Sequence, residues 1–240
     1  MPRKLSLKTA YDVLYKCYGS QNWWPGDTPF EIMVGAVLTQ NTAWTNVEKA
    51  IINLKQAGML NPEKIATVIQ SRLAGLLRPA GYFNIKARRL KNYCVWYLAQ
   101  GEFESLDSRD TGTLRQDLLS VNGIGYETAD DILLYAFNRP VFVIDAYTRR
   151  LFSRLKIVEG TEHYDTMRLY FEQNLIKESY PGQDGKTINK KRESELVLLF
   201  NEFHALIVHH AKHVCRKHPA CVNCCYKDRC PSAAAFINAH

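Results

Sequence analysis

Residues 118–133 read LLSVNGIGYETADDIL, and this segment decides the fold of the chain. Its apolar spacing predicts two helices joined by a turn at residues 121–125. Gly123 and Gly125 would let the backbone reverse sharply and bring bare N–H groups close to a phosphate. Ile124 between them is expected to anchor the turn in the core. A glycine pair alone is weak evidence for a phosphate-binding turn, because many tight helix–helix turns look the same in sequence.

The residues that follow this hairpin make the pattern more specific. An amphipathic helix is predicted over 126–137, and Pro140 ends that stretch. The apolar run 141–144 is the only strong strand-like segment of the sequence. Asp145 follows at the head of another predicted helix, 146–155, where its side chain can cap the helix N-terminus.

Apolar residues recur at helical spacing along most of the remaining chain, including stripes that begin at Tyr11 and at Trp44. Residues 28–31 (TPFE) are typical of a capping box with proline at the first helical position. Further helices are predicted over 62–76, 86–99, 113–120, 163–178 and 192–213. No internal repeat or low-complexity tract is present, so the sequence predicts an all-α fold.

The chain has 240 residues, of which 46% are hydrophobic and 23% charged, and this composition excludes wholesale disorder. No run of about 18 apolar residues occurs, so a membrane span is excluded as well. The start, MPRKLSLKTAYDVLYK, lacks the apolar segment of an export signal. The expected compartment is therefore a reducing cytosol or nucleus, which for a prokaryotic protein means cytoplasmic and nucleoid-associated.

Basic residues outnumber acidic ones by 31 to 24, and the formal charge of +7 permits a polyanionic partner. They are concentrated in three clusters, at 78–91, 149–156 and 186–192. A single cluster would more often be a solvated helix face. Three clusters in one chain favour contact with nucleic-acid phosphates.

Four of the seven cysteines have the spacing C-x5-C-x2-C-x5-C. These four are Cys215, Cys221, Cys224 and Cys230. Their thiolates can converge on one centre, and spacing alone leaves both an iron–sulfur cube and a tetrahedral zinc open. Cys225 is an adjacent thiol outside this pattern, while Cys17 and Cys94 lie on helical stripes and are expected in the core.

Taken together, these motifs resemble the helix-hairpin-helix–Gly/Pro–Asp (HhH-GPD) superfamily of DNA glycosylases, specifically the endonuclease III family. The hairpin VNGIGYETA, the segment VFVIDAYTRRLFSRL, the early VLTQNT and the loop RPAGYFNIKARRL each match a family motif. The resemblance extends over about residues 7–231. The segment WWPGDTPFEIMVGAVLTQNT and the glutamate in GIGYETADDIL look most like the 3-methyladenine glycosylase branch.

This resemblance implies a two-lobed helical protein with its active site in the cleft between the lobes. A helical bundle of residues 27–140 would carry the hairpin. Residues 1–26 and 141–240 would form the second lobe, with the catalytic aspartate and a cysteine loop at 215–230. In the family that loop holds a [4Fe–4S] cluster on four cysteines, here Cys215, Cys221, Cys224 and Cys230. The first gap has five residues here, where the family usually has six.

The family also implies the catalytic residues. Asp145 matches the carboxylate that stabilises the oxocarbenium-like sugar and aligns the attacking water. Bifunctional members carry a lysine that forms a Schiff base, and Glu127 stands at that position here. Because a carboxylate cannot form an imine, we expect a monofunctional enzyme that leaves an abasic site. Glu127 could equally be a first-turn acid that the helix dipole favours.

Several residues match family contacts to DNA. Gln40 corresponds to the residue that fills the hole left by a flipped base, and Tyr82 to a second wedge that stacks into the opposite strand. Gly123, Gly125 and Arg149 are expected to contact the DNA backbone. The hairpin is also expected to hold a monovalent cation through the carbonyls of Leu119, Val121 and Ile124.

Three tryptophans, Trp23, Trp24 and Trp44, are candidates for the base pocket. Indole faces and the two carboxylates suit a positively charged base, such as a purine alkylated at N3 or N7, for example 3-methyladenine. The histidines of the helix at 192–213 are interpreted as a DNA-facing or solvated face without a metal. These histidines are His204, His209, His210 and His213.

The partner predicted by these residues is double-stranded DNA with a damaged base, bound by a monomer. One alternative is a glycosylase for uracil, thymine mismatches or oxidised bases. A second is a non-catalytic DNA-damage-binding protein, since loss of the lysine can accompany loss of activity. A third is a metal-stabilised transcription factor.

Overall fold

The computed structural model describes residues 5–23, 26–181 and 189–237. Over these residues the protein consists of helices and loops, without a strand, and the predicted all-α fold is confirmed. The helices are α1 (Leu7–Tyr18), α2 (Pro29–Leu38), α3 (Trp44–Gln56), α4 (Pro62–Thr67), α5 (Gln70–Leu76), α6 (Phe83–Ala99), α7 (Glu102–Asp107), α8 (Thr111–Ser120), α9 (Tyr126–Asp131), α10 (Ala146–Arg154), α11 (Tyr164–Ser179), α12 (Lys190–His213) and α13 (Ala233–Ile237). Two 3-10 turns, Arg78–Ala80 and Cys221–Asn223, and a π-helical turn, Ile132–Ala136, complete the secondary structure.

The chain divides into two compact units. The hairpin unit comprises Trp24–Arg139, and the cysteine unit comprises Met1–Trp23 together with Pro140–His240. The domain boundaries predicted from the sequence, 27–140 and the remainder, lie within a few residues of this division. In the described part of both units, no helix combines the length and the apolar character that a membrane crossing needs.

In the hairpin unit, α4 and α5 pack on the long helix α6, while α2 packs on α3, α6, α9 and the π-helical turn. Thr28 caps α2 by accepting the Glu31 N–H, as the capping box predicts. The reciprocal half of the box does not form, because the Glu31 carboxylate pairs with Lys55 at 2.8 Å instead. Residues 31–38 of α2 are all buried, so this helix is the centre of the unit's core.

Two predicted elements differ from the observed ones. The single helix predicted over 62–76 breaks at Val68, whose backbone is extended, and the ammonium of Lys91 binds the carbonyl at this break. The run 141–144 is extended and buried but forms no strand, since the described part of the protein offers no strand to pair with it. In both segments the tertiary contacts determine the final conformation, and the local sequence pattern does not.

In the cysteine unit, α1 packs on α11 and α12, and α10 packs on α12. Aromatic rings fill the space between these helices. Phe171 lies 4.9 Å from the ring of Phe142 and 4.8 Å from that of Phe152, and Phe142 also meets Phe200 and Phe203 edge-on. This rigid core lies directly under the start of α10, where Asp145 is found.

Candidate active site and cysteine cavity

Asp145 is held at the N-terminus of α10. Its Oδ1 accepts the Thr148 N–H at 2.7 Å, so the capping role proposed from the sequence is confirmed. The residue is only 8% exposed. A buried carboxylate is costly unless it is hydrogen-bonded or paired, and the cap supplies the first partner.

The second partner is His204, in the middle of α12. Its Nε2 lies 3.5 Å from Oδ2 of Asp145, which is longer than an ordinary N–H···O hydrogen bond, so the two groups form a long polar contact. Burial raises the pKa of Asp145, but the contact with His204 and the N–H of Thr148 outweigh it, so the pKa lies below its ordinary value. The carboxylate is therefore ionised at neutral pH.

The interpretation of the α12 histidines as a DNA-facing or solvated face is wrong for two of them. His204 is 4% exposed and His210 is completely buried. The signal was present in the sequence, because His204 lies four residues after Phe200 and three before Ile207, on the apolar stripe of the helix. A histidine on such a stripe needs a buried partner, and here that partner is Asp145.

Two of the predicted pocket tryptophans can be placed. The Trp23 ring is half-buried and lies 5.9 Å from that of His204, tilted by 36°, so it adjoins the Asp145 site within the cysteine unit. Trp44, at the start of α3, is half-buried against Gly35, where an added Cβ would lie 3.1 Å from the indole. Trp24 lies outside the described residues.

The hairpin has the predicted form. Ile124 is 6% exposed, which confirms it as the anchor of the turn, and its N–H donates to the Val121 carbonyl at 3.0 Å. Gly123 has a φ of 103°, and a Cβ there would overlap the side chain of Arg89. Gly125 is exposed, caps α9 and has open space where a Cβ would be. The two glycines therefore serve different purposes.

Gln40 packs on this hairpin. Its Nε2 donates to the Gly123 carbonyl at 3.0 Å and to the Thr128 hydroxyl at 2.9 Å, while the guanidinium of Arg89 donates to its Oε1. Both ends of the amide are thus fixed by the hairpin unit. The residue predicted to fill the gap in DNA is held in one orientation before DNA is present.

Tyr82 is presented differently. It is 68% exposed and precedes α6 in a left-handed conformation with a φ of 46°. The turn behind it is held by Lys86, whose buried ammonium donates to the Ala80 carbonyl at 2.6 Å. Burial, with a smaller effect of Arg89, lowers the pKa of Lys86 to about 8. An exposed ring on a fixed turn has the geometry that a wedge requires.

Glu127 is exposed in the first turn of α9. Three residues later, Asp130 is fully buried and forms a two-pronged ion pair with Arg115 at 2.6 and 3.1 Å. This pair joins α8 to α9, the two helices of the hairpin. The sequence alone does not reveal this ion pair, because the positions of charged residues along the two helices do not show which charges are buried together.

The basic clusters at 78–91 and 149–156 are predicted to contact phosphates, but several of their members bind acceptors within the protein. Arg149, a predicted DNA contact, donates to the carbonyls of Gly160 and Glu162 at 3.2 and 2.9 Å. Other members bind protein acceptors as well: Lys86, Arg89 and Lys91 in the first cluster, and Arg150 and Arg154 in the second. Guanidinium and ammonium groups with several donors readily satisfy loop carbonyls, so net charge overstates the free positive surface.

The four motif cysteines line one open cavity of about 360 Å³. The lining includes Cys215, Cys221, Cys224, Cys230, Arg154, His210 and Tyr226, and Cys225 is not part of it. Among the described residues, no three metal-ligating side chains stand close enough together to hold an ion. The four thiols share a cavity without converging on a common point.

Donors are already directed at these sulfurs. The Tyr226 N–H lies 3.4 Å from the Cys224 sulfur, His210 Nε2 lies 3.6 Å from it, and the Arg154 guanidinium lies 3.3 Å from the Cys215 sulfur. The Cys225 side chain and contacts of this kind lower the pKa of the Cys224 thiol, and four cysteine sulfurs in one cavity are a ligand set suited to a thiolate-bound metal group. Arg150 and Arg154 also bind the carbonyl of Cys215, so α10 positions the start of the cysteine loop.

The remaining two cysteines differ from each other. Cys94 is buried as expected, and burial raises the pKa of its thiol. The expectation that Cys17 lies in the core is wrong, because it is exposed in the last turn of α1.

Comparisons of the sequence and the structure with known proteins point to the same family as the sequence motifs. The family model of the HhH-GPD superfamily of base excision DNA repair proteins matches residues 34–176. A Methanocaldococcus jannaschii protein assigned as a DNA repair glycosylase is 45% identical over 225 residues, covering 92% of this chain and 94% of that protein.

Two solved structures are similar over most of their length. H. pylori 3-methyladenine DNA glycosylase bound to 1,N6-ethenoadenine has a TM-score of 0.72 at 34% identity, and the match covers 85% of this chain and 95% of that one. A non-covalent endonuclease III–DNA complex has a TM-score of 0.76 at 20% identity, with coverage of 99% and 100%, and supports the fold alone. The resemblance found in the motifs is therefore confirmed: the chain belongs to the HhH-GPD superfamily and is a DNA repair glycosylase of base excision repair.

Proposed function

We propose that the protein is a monofunctional DNA N-glycosylase, which flips a damaged base out of double-stranded DNA and hydrolyses its glycosidic bond. The observation that carries this proposal is Asp145, an ionised carboxylate that is 8% exposed and held by two partners. An anion in such a position stabilises positive charge that develops on a sugar. In water, the same carboxylate would be screened and mobile.

The reaction requires few groups. As the bond from C1′ to the base nitrogen breaks, its electron pair leaves with the base and the sugar becomes oxocarbenium-like. Asp145 stabilises this charge and accepts a proton from the water whose oxygen bonds to C1′. The products are a free base and an abasic site. An N3- or N7-alkylated purine carries a positive charge that the departing electron pair neutralises, so little acid catalysis is needed.

Glu127 supports the monofunctional assignment. Glu127 lies in the first turn of α9, and by the resemblance its position is that of the Schiff-base lysine in bifunctional members. We expect no covalent complex when the protein reacts with damaged DNA in the presence of borohydride. Efficient trapping would contradict the assignment. Glu127→Gln tests whether Glu127 acts on the substrate. If the carboxylate only interacts favourably with the helix dipole, this variant should still release the base.

We propose alkylated purines, with 3-methyladenine as the example, as the preferred bases. Trp23 lies beside His204, which in turn contacts Asp145, and an indole face attracts a cationic ring. Trp24 and Trp44 are the other proposed pocket residues. The H. pylori 3-methyladenine glycosylase, 34% identical to this chain, supports the same class.

The proposed DNA contacts are Gln40 and Tyr82 at the flipped base, the hairpin glycines at a phosphate and Arg149 at the backbone. Tyr82 is 68% exposed, which favours it most strongly, whereas Gln40 would have to exchange its bonds to Gly123 and Thr128 for contacts with DNA. A monovalent cation at the carbonyls of Leu119, Val121 and Ile124 is proposed on the resemblance alone. The protein is proposed to act as a monomer.

We also propose a [4Fe–4S] cluster on Cys215, Cys221, Cys224 and Cys230, which line one cavity. When bound, the cluster would supply iron–sulfide bonds that order the loop between Cys215 and Cys230. Arg154 and His210 would donate to its cysteine ligands. Iron and sulfide analysis of the purified protein tests this, and zinc without iron would overturn it.

Mass spectrometry of bases released from DNA tests the proposed function directly. DNAs carrying methylated, oxidised or uracil bases, and thymine mismatches, are incubated separately with the protein. Release from methylated DNA alone supports the proposed substrate. Release from another DNA replaces that substrate but keeps the activity, whereas tight binding without release from any DNA would favour a damage-binding protein.

A further inference from the structure

We infer that His204 is a positioning residue for the proposed glycosylase reaction, holding the Asp145 carboxylate in its reactive orientation and supporting the Trp23 ring. The inference rests on the proposed function, because it concerns the same carboxylate. It assigns a role to a residue that the sequence pattern left as part of a helix face.

The two carboxylate oxygens of Asp145 have different partners. Oδ1 accepts the Thr148 N–H at 2.7 Å from within α10, and Oδ2 lies 3.5 Å from Nε2 of His204 on α12. One partner on each oxygen fixes the plane of the carboxylate. Because the contact with His204 is long, it is chiefly electrostatic, and Oδ2 keeps the capacity to accept a hydrogen bond from water.

Burial gives this contact its strength. His204 is 4% exposed and Asp145 8% exposed, so little solvent screens the interaction. The His204 ring also lies beside an aromatic ring, because the centroid of the Trp23 ring is 5.9 Å away. His204 therefore contacts both the carboxylate that stabilises the sugar and an indole proposed to contact the base.

Removal of the imidazole has a predictable direction. The groups that face Asp145 are Thr148 from α10 and His204 from α12, and both lower its pKa, while burial raises it. Without His204, less opposes the effect of burial, so the pKa of Asp145 rises. Since the ionised carboxylate is the reactive form, the acid limb of the rate profile moves to higher pH.

The test compares His204→Phe, which keeps ring volume, with His204→Asn, which keeps a polar donor. His209→Phe is the control, because His209 lies on the same helix and its ring packs at a tilt against Tyr18 and His213 and not against Asp145. Base release is measured under single-turnover conditions from pH 4 to 9, together with DNA affinity and the melting temperature. For His204→Phe we expect a rate loss of about tenfold or more and an acid limb at higher pH, with DNA affinity retained. His204→Asn should recover part of the rate.

A folded His204→Phe with the wild-type rate and acid limb would overturn the inference. Should that variant not fold, His204→Asn and a ¹³C NMR titration of the Asp145 carboxyl replace it, and an unchanged titration would likewise reject the role. The titration also separates the two proposals. If the wild-type protein releases no base, the proposed function is refuted, but the titration still measures the effect of His204 on the pKa of Asp145.

Discussion

At the scale of single residues, the proposed chemistry depends on how the Asp145 carboxylate is kept charged in a poorly solvated position. Asp145 lies at a helix N-terminus, where N–H groups favour an anion, and His204 faces its second oxygen. Neither partner alone would identify a catalytic group, since N-terminal aspartates are common caps. The combination of a cap, burial and a histidine from another helix distinguishes Asp145.

Asp145→Asn separates these roles. Asparagine also caps helices, so we expect the melting temperature to change little, while single-turnover base release falls by about 10² to 10⁴. Asp110→Asn is the matched control, because Asp110 caps α8 through the Thr113 N–H at 2.9 Å from an exposed position. Equal losses in both variants, or normal turnover by Asp145→Asn, would contradict the catalytic assignment.

At the scale of elements, three sets of contacts hold the hairpin in place. Ile124 anchors the turn in the core, Arg89 packs against Gly123, and the buried pair of Arg115 and Asp130 joins the two helices. The exposed tip at Gly125 is therefore presented on a rigid support. Such rigidity is what a backbone contact needs if it is to fix the register of DNA.

The two hairpin glycines should respond oppositely to alanine. Gly123→Ala places a Cβ into Arg89 at a φ of 103°, and we expect a loss of stability of about 1–3 kcal/mol. Gly125→Ala meets open space and should fold normally, with weaker DNA binding if a phosphate approaches its N–H. Urea unfolding and DNA titration of both variants measure this. Equal stability of the two variants would show that the Arg89 contact is unimportant.

The buried ion pair of the hairpin allows a second comparison. Asp130→Asn leaves the Arg115 guanidinium without its counter-charge at a site 8% exposed, and we expect the free energy of unfolding to fall by about 3–5 kcal/mol. Asp117→Asn disrupts the partly exposed pair with Arg109 and should cost about 1 kcal/mol or less. Chemical denaturation distinguishes them, and equal small losses would mean that the pair does not hold α8 to α9.

At the scale of the whole molecule, much of the positive charge is used internally. Arg149, Arg150 and Arg154 bind carbonyls of the cysteine unit, and Lys86 and Lys91 bind carbonyls of the hairpin unit. The +7 net charge still favours approach to DNA. We propose that phosphate contacts come from the basic residues that are exposed, among them Arg78, Arg88 and Lys190.

The proposed cluster makes a prediction at this scale, because it would order the loop that α10 positions. Cys224→Ala should lose iron and lower the melting temperature, since Cys224 lines the cavity and accepts the Tyr226 N–H. Cys225→Ala is the neighbouring control outside the lining and should retain iron. Iron content and visible absorbance of both variants decide this, and equal iron in the two would remove Cys224 from the ligand set.

The sequence by itself determined the fold class, the family and the order of the motifs. Helical periodicity, the glycines of the hairpin and the cysteine spacing are local patterns, so they are readable without a structure. The buried Ile124 and the cap at Asp145 were predicted for the same reason, since each depends on residues within four positions.

Only the tertiary structure decided which charges are buried together. His204 is 59 residues from Asp145, and Gln40 is 83 from the Gly123 carbonyl that it binds. The same holds for the arginines that bind loop carbonyls and for the four thiols that share a cavity. Such pairings are set by the packing of distant helices, and electrostatic interactions become strong only where that packing excludes water.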